Sequence, residues 1–73
     1  MAKETIKSEI AGTVWKIEVA EGTQISEEDT IMILESMKME IPVEAATRGR
    51  VIELCVAEGD MISEDQPLAV IET

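Results

Sequence analysis

Ile31-Met32-Ile33-Leu34-Glu35-Ser36-Met37-Lys38-Met39-Glu40-Ile41-Pro42-Val43-Glu44 is an apolar run, a polar tip and an alternating run in immediate succession. Two strand-like runs with almost nothing between them predict a β-hairpin over 31–44 whose two-residue loop is Met37-Lys38. In that register Ser36 faces Met39, Glu35 faces Glu40, Leu34 faces Ile41 and Met32 faces Val43. The last two pairs supply an apolar face for a core. Pro42 falls on the other face and has no N–H, which places its strand at a sheet edge or at an unpaired position.

The loop residues are a poor choice for the turn they must make. Tight hairpin loops favour Gly, Asn or Asp because their central residues take positive φ. A residue with a Cβ costs roughly 1–2 kcal/mol there, and neither Met nor Lys can offset this with a local side-chain hydrogen bond. A locally unfavourable tip in an otherwise orderly sequence is where function is to be sought. An exposed lysine is commonplace; what singles out Lys38 is its position in a turn that disfavours it, between two methionines. Its neighbours are acidic, so nothing intrinsic makes the amine a nucleophile. The position reads as a lysine presented to an enzyme that removes the proton and delivers an activated acyl group.

Glu35 opposite Glu40 is a like-charge cross-strand pair, unfavourable by a few tenths of a kcal/mol. The two acids are either solvated groups in loose contact with Lys38, worth roughly 0–1 kcal/mol, or marks read by a modifying enzyme with complementary bases.

Outward from the hairpin the chain repeats itself. Laying 12–36 on 49–73, an offset of 37, gives 10 identities in 25 pairs, among them Gly12 with Gly49, Val14 with Val51, Val19 with Val56, Gly22 with Gly59, Ile25 with Ile62 and Glu35 with Glu72. In both copies the alternation slips by one residue after the first valine, at Val14-Trp15 and Val51-Ile52, as a β-bulge or a strand changing sheets requires. Beyond the slip, Trp15, Ile17 and Val19 alternate with Lys16 and Glu18. Ile25 and Ile62 are isolated apolar anchors between turns. Residues 1–8 read as a polar lead-in, and Ala45-Ala46-Thr47-Arg48 as a link.

Two copies of one unit, each with an open apolar face, bury those faces against each other. Short strands, regular turn signals and no helical period predict an all-β fold, a flattened barrel or sandwich with internal pseudo-two-fold symmetry. Its halves are about 9–36 and 46–73 of a single domain, 1–73. The counterpart of Lys38 would be position 75, so the symmetry places the hairpin tip at one end of the domain and Thr73 at the other.

Composition bounds the function. At 73 residues there is room for one small core and no separate substrate-binding domain. A net charge of −10, from 16 acids and 6 bases, excludes nucleic acid and anionic membrane as partners, since both need a basic footprint, and fits either basic protein partners or plain solubility. With no histidine and one cysteine, metal clusters and Cys/His or Ser/His relays are excluded. The four glycines are dispersed over the repeat turns, so no phosphate-cradling loop exists. The acidic turn at 26–29 lacks calcium-ligand spacing. Cys55, between Leu54 and Val56, reads as a half-buried strand residue. The first residues lack the apolar segment of a signal peptide and no run reaches membrane-spanning length, so a cytoplasmic monomer is expected.

At Glu35-Ser36-Met37-Lys38-Met39-Glu40 the sequence resembles the biotinyl/lipoyl carrier domains. Biotinylated members typically carry Ala-Met-Lys-Met; here Met37-Lys38-Met39 matches and Ser36 stands where Ala is usual. The resemblance covers nearly the whole chain, because the repeated Gly, Val, Gly and Ile spacings fit the family pattern too. It implies a flattened barrel of two antiparallel four-stranded sheets with the modified lysine on an exposed hairpin. It further implies covalent biotin on Lys38, attached as an amide by biotin protein ligase from biotinyl-adenylate. Met37 and Met39 would serve ligase recognition, with Glu35, Ser36 and Glu40 as flanking recognition residues. The loaded carrier would shuttle carboxyl groups between the carboxylase and carboxyltransferase sites of a biotin-dependent enzyme.

The chain lacks the thumb insertion of some acetyl-CoA carboxylase carriers and the Pro common near Ala46. With Trp15 after Gly12-Thr13-Val14, it is most similar to the small, free-standing bacterial biotin/lipoyl attachment proteins. Those leave lipoate as the alternative cofactor, for acyl or aminomethyl transfer, although lipoyl domains usually carry Asp-Lys-Ala and the methionines here argue against it. A reading from another class is an unmodified module that docks through its acidic surface. An enzyme in its own right has almost no residue support.

Overall fold

The computed structural model describes residues 2–73; Met1, part of the predicted lead-in, lies outside them. Eight strands follow one another: β1 (Lys3–Lys7), β2 (Gly12–Ile17), β3 (Gln24–Ile25), β4 (Thr30–Ser36), β5 (Met39–Glu44), β6 (Gly49–Leu54), β7 (Met61–Ile62) and β8 (Pro67–Glu72). They form two antiparallel four-stranded sheets in the orders β5-β4-β2-β7 and β1-β8-β6-β3. Exchanging every strand of one sheet for its repeat counterpart turns one order into the other. The pseudo-two-fold relation read from the sequence is therefore a relation between sheets.

Each sheet borrows one short strand from the other half of the chain. β7 lies along β2, with Gly12 opposite Ile62 and Thr13 opposite Met61. β3 lies along β6, with Gln24 opposite Arg50 and Ile25 opposite Gly49. The isolated anchors Ile25 and Ile62 owe their burial to this exchange. Val14, Ile31, Met32, Leu34, Val51, Leu68, Ala69 and Ile71, all essentially sealed from solvent, join Ala45 and Val56 in the interior. The core is thus aliphatic, as the near absence of aromatic residues requires. Its long axis is set by the strands, giving extents of 36 × 18 × 17 Å.

The bulges fall where the alternation slips, between Val14 and Lys16 on β2 and between Val51 and Glu53 on β6. The turns repeat in detail. Asp29 and Gln66 fold back so that Asp29 Oδ2 accepts from Ser26 N at 2.8 Å and Gln66 Oε1 accepts from Ser63 N at 2.9 Å. Glu28 and Asp65 take φ of 74° and 70°.

A second reciprocal pair locks the halves together. Ile17 N donates to Glu58 Oε2 and Leu54 N to Glu21 Oε2, each at 2.9 Å. Each carboxylate leaves its own turn to satisfy a strand-end N–H in the other half, which would otherwise lack a protein partner.

Three expectations are corrected. The lead-in is a strand: β1 pairs along β8, Lys3 with Glu72 through Ile6 with Ala69. Its sequence carries only Ile6 as an inward anchor and shares no identity with the equivalent stretch Glu40–Glu44 of β5, so neither alternation nor repeat exposed it. Trp15 does not continue the half-buried Ile17–Val19 series. It sits in the β2 bulge, 48% exposed. Cys55 is exposed and follows the end of β6. It occupies the position equivalent to the exposed Glu18, and the N–H groups of both reach across to equivalent carbonyls, Glu18 to Ile31 and Cys55 to Leu68.

The reciprocal Glu21 and Glu58 hydrogen bonds predict equal losses from Glu21→Ala and Glu58→Ala. A charge-assisted hydrogen bond discounted for solvent exposure is worth about 1 kcal/mol, or about 4–8 °C in a domain of this size. Calorimetry showing one variant unaffected and the other strongly destabilised would contradict the reciprocity.

Candidate functional site

The hairpin forms in the register the sequence requires: Ser36 opposite Met39, Glu35 opposite Glu40, Leu34 opposite Ile41, Ile33 opposite Pro42 and Met32 opposite Val43. Pro42 lies on β5, the edge strand of its sheet, where a missing N–H is tolerated. Met37 and Lys38 form the loop with φ of 53° and 66°. Two consecutive positive values are the signature of the type I′ turn that matches strand twist. The chain adopts this turn with two residues that resist it. The drive comes from below the tip, where Met32 and Leu34 are sealed in the core and hold β4 in register.

The tip is correspondingly open. Met37 is 91% exposed, and Met39, Lys38, Glu35 and Glu40 are exposed as well. The ion pairs among the described residues are Lys16–Glu18 and Arg50–Glu72, so Lys38 is in neither of them. Two surface clefts are walled by Ile6, Leu34, Ile41 and their neighbours and by Arg48, Arg50 and theirs. Neither includes a residue between 35 and 40. The amine therefore stands exposed at the apex of the hairpin.

Close packing fixes the base of the tip. A Cβ on Gly12 would meet the Glu35 carbonyl oxygen at 2.5 Å, and a Cβ on Gly49 would meet that of Glu72 at the same 2.5 Å. Only glycine lets β2 pass this close to the end of β4. The equivalent contact at Gly49 lies at the opposite end of the domain, where Thr73 N donates to the Ala2 carbonyl at 2.9 Å. Tip and chain end thus sit at opposite poles, as the repeat requires.

The other reactive group, Cys55, is poorly placed for chemistry. Desolvation by the neighbouring chain pushes the thiol pKa of this exposed residue up, and the charges of Glu53 and Glu21 push it further. A thiol shifted that way is a weak nucleophile at neutral pH.

Comparison with known proteins supplies the identity of this architecture. The biotin/lipoyl family model, described as "Biotin-requiring enzyme", matches residues 3–71. The chain belongs to that family.

Similar proteins include the biotinylated protein TB7.3 homolog of Mycobacterium leprae, 48% identical over 48 residues that span 66% of this chain and 68% of that protein. The biotin/lipoyl attachment protein of Bacillus subtilis is 47% identical over 49 residues, 67% of each chain. Among solved structures, Kluyveromyces lactis urea carboxylase matches 99% of this chain with a TM-score of 0.92 and 33% identity, although the match spans only 6% of that enzyme. The all-β, two-sheet architecture is that of the matched carboxylase segment. The chain is a biotin/lipoyl carrier domain, a carrier rather than an enzyme.

The strain at the loop is measurable. Replacing Met37-Lys38 by Asn-Gly, the residues best suited to a type I′ turn, should stabilise the domain by about 2 kcal/mol, read as a rise in denaturant midpoint at constant m-value. A variant no more stable than the parent would mean that the turn carries no strain.

Proposed function

We propose that Lys38 is the attachment point for biotin, joined through an amide to Nζ, and that the loaded chain carries carboxyl groups between two active sites. The observation that carries this reading is the fully solvent-facing type I′ tip, built on an exposed Met37-Lys38-Met39 and backed by a rigid hairpin. An amine at the apex of a domain 36 Å long can be pushed into a ligase active site without displacing the core. The residues fit the group: a covalent arm needs a free primary amine and room to swing, Lys38 is exposed, and among the described residues it is in no ion pair. Several relatives are named as biotinylated proteins.

In this reading biotin protein ligase supplies biotinyl-adenylate. Lys38 Nζ, once deprotonated in the ligase site, attacks the acyl carbon; the amide bond forms as the bond to AMP breaks. Met37 and Met39 flank the amine with exposed apolar surface, while Glu35, Ser36 and Glu40 present polar groups on the two strands beside it. These five side chains are the recognition surface. When bound, biotin supplies the group that accepts and releases a carboxyl. The protein supplies tethering, and a tether raises the effective concentration of its cargo at each site it can reach. Partners are a biotin protein ligase and the carboxylase and carboxyltransferase of a biotin-dependent enzyme, in the cytoplasm. Lipoate on the same lysine is the second reading, favoured by the name of the Bacillus subtilis relative, which covers both cofactors.

Co-expression with biotin protein ligase and free biotin should add one biotinyl mass to the intact protein, and Lys38→Arg should abolish it. Label on Lys3, Lys7 or Lys16 would refute the assignment. Replacing Met37 by Asp and Met39 by Ala should move labelling from biotin towards lipoate when both ligases are present. If intact-mass spectra show the same labelling as before, the methionines are not what the ligase reads.

A further inference from the structure

The duplicated scaffold contains its own control for which surface features the fold needs and which it does not. On the outer face of the sheet that carries the tip, Glu40 lies opposite Glu35, Glu35 opposite Thr13, and Thr13 opposite Met61. Directly opposed residues share a face, so these four form one row across the sheet, about 14 Å wide at ordinary strand spacing. The equivalent row on the other sheet is Lys3, Glu72, Arg50 and Gln24. There Arg50 Nη2 and Glu72 Oε1 pair at 3.3 Å, two bases attend one acid, and the edge residue is polar.

At the tip the same scaffold positions hold two acids, no base, and Met61, 84% exposed. One step further from the tip, Trp15 lies in the bulge, 48% exposed, where the other sheet has the half-buried Ile52. Folding therefore does not demand a methionine at 61 or a tryptophan at 15. Both large apolar side chains stand in water beside an uncompensated acidic pair, on the face that continues directly from Lys38.

We propose that this face, Trp15 and Met61 with Glu35 and Glu40, is the docking surface for the enzyme that acylates Lys38. The partner surface is an apolar depression that receives Trp15 and Met61, with Lys or Arg opposite the two glutamates. This rests on the reading of Lys38 as the biotinylated residue and extends it from the hairpin to β2 and β7. Geometry favours the ligase over the enzymes served later. The ligase must bring the lysine nitrogen itself to its reacting centre, so its surface closes on the hairpin and on the strands beside it. An enzyme served later would act on the bound cofactor rather than on the lysine nitrogen, so its chemistry does not require closure on the hairpin. Exposed Trp and Met surfaces are typical anchors at interface centres, and the acidic pair steers a basic partner towards the tip.

The scaffold suggests substitutions it already tolerates: Trp15→Ile and Met61→Gln, the residues found at the equivalent positions 52 and 24. With purified biotin protein ligase, ATP and biotin, the double variant should show a KM for the carrier raised about tenfold, kcat within twofold and an unfolding midpoint close to the parent's. Gln24→Ala, on the equivalent face, should leave KM unchanged. A measurement on the native surface accompanies this. In the complex of ligase with the Lys38→Arg chain, Met61 should be protected from peroxide oxidation relative to the free chain.

Unchanged KM in the double variant, or Met61 oxidised as fast in the complex as alone, overturns the proposal. Normal biotinylation with impaired carboxyl transfer would assign the face to a carboxylase instead, and loss of a wild-type dimer in sedimentation would assign it to self-association; either result also overturns it. Failure of the wild-type chain to take biotin on Lys38 refutes the underlying biotin assignment. Labelling of Lys38 with KM indifferent to Trp15 and Met61 refutes only the docking surface.

Discussion

Neither half of this chain can cover its own apolar face, and that constraint organises everything else. The side chains of Val14, Ile31, Met32 and Leu34 need an apolar lid, and Val51, Leu68, Ala69 and Ile71 are that lid. A domain this small has little surplus burial to spend on imperfect closure. The closure is reinforced by exchange: β3 and β7 each complete the opposite sheet, and Glu21 and Glu58 each satisfy a backbone N–H across the interface. Separation of the halves would expose the core, strip a strand from each sheet and orphan two N–H groups at once. Such coupling makes unfolding cooperative and leaves the interior rigid.

Rigidity is what the tip requires. A type I′ turn made by Met37 and Lys38 is locally uphill, and an isolated hairpin of this sequence would relax it. Within the domain the turn is imposed by the pairing of Leu34 with Ile41 and Met32 with Val43 beneath it, together with the close passage of Gly12 past Glu35. The amine is displayed because the core dictates where the strands end. The same logic separates the site from the rest of the molecule: the pole that carries Lys38 is distant from the pole where β1 and β8 bring Lys3 and Glu72 together.

Duplication also turns the protein into a comparison with itself. Where both halves agree, as in the glycine contacts, the bulges, the turn caps and the exchanged carboxylates, the shared feature serves the scaffold. Where they diverge on exposed positions, the scaffold is indifferent and another demand has chosen the residue. Arg50 and Glu72 form an ion pair at one pole; Thr13 and Glu35 leave an acid unpaired at the other. Cys55 shows the opposite outcome, a divergence from Glu18 that the structure gives no chemical use.

Sequence alone determined the hairpin and its register, because side-chain alternation has a period of two and a one-residue slip would expose the entire apolar face. It also determined the symmetry, since identities at a constant offset survive without any knowledge of contacts, and it pointed to Lys38, since turn chemistry is local. Tertiary structure decided what depends on a neighbour distant in the chain. β1 is a strand because β8 offers a free edge, not because Lys3–Lys7 has a strand pattern. Trp15 faces water because the bulge absorbs one residue of β2, which periodicity locates without saying which side chain is expelled. The row from Glu40 to Met61 exists only once three strand pairings are superimposed. Thr13 and Met61 come from different halves of the chain, and they meet there through backbone hydrogen bonds that no local pattern encodes.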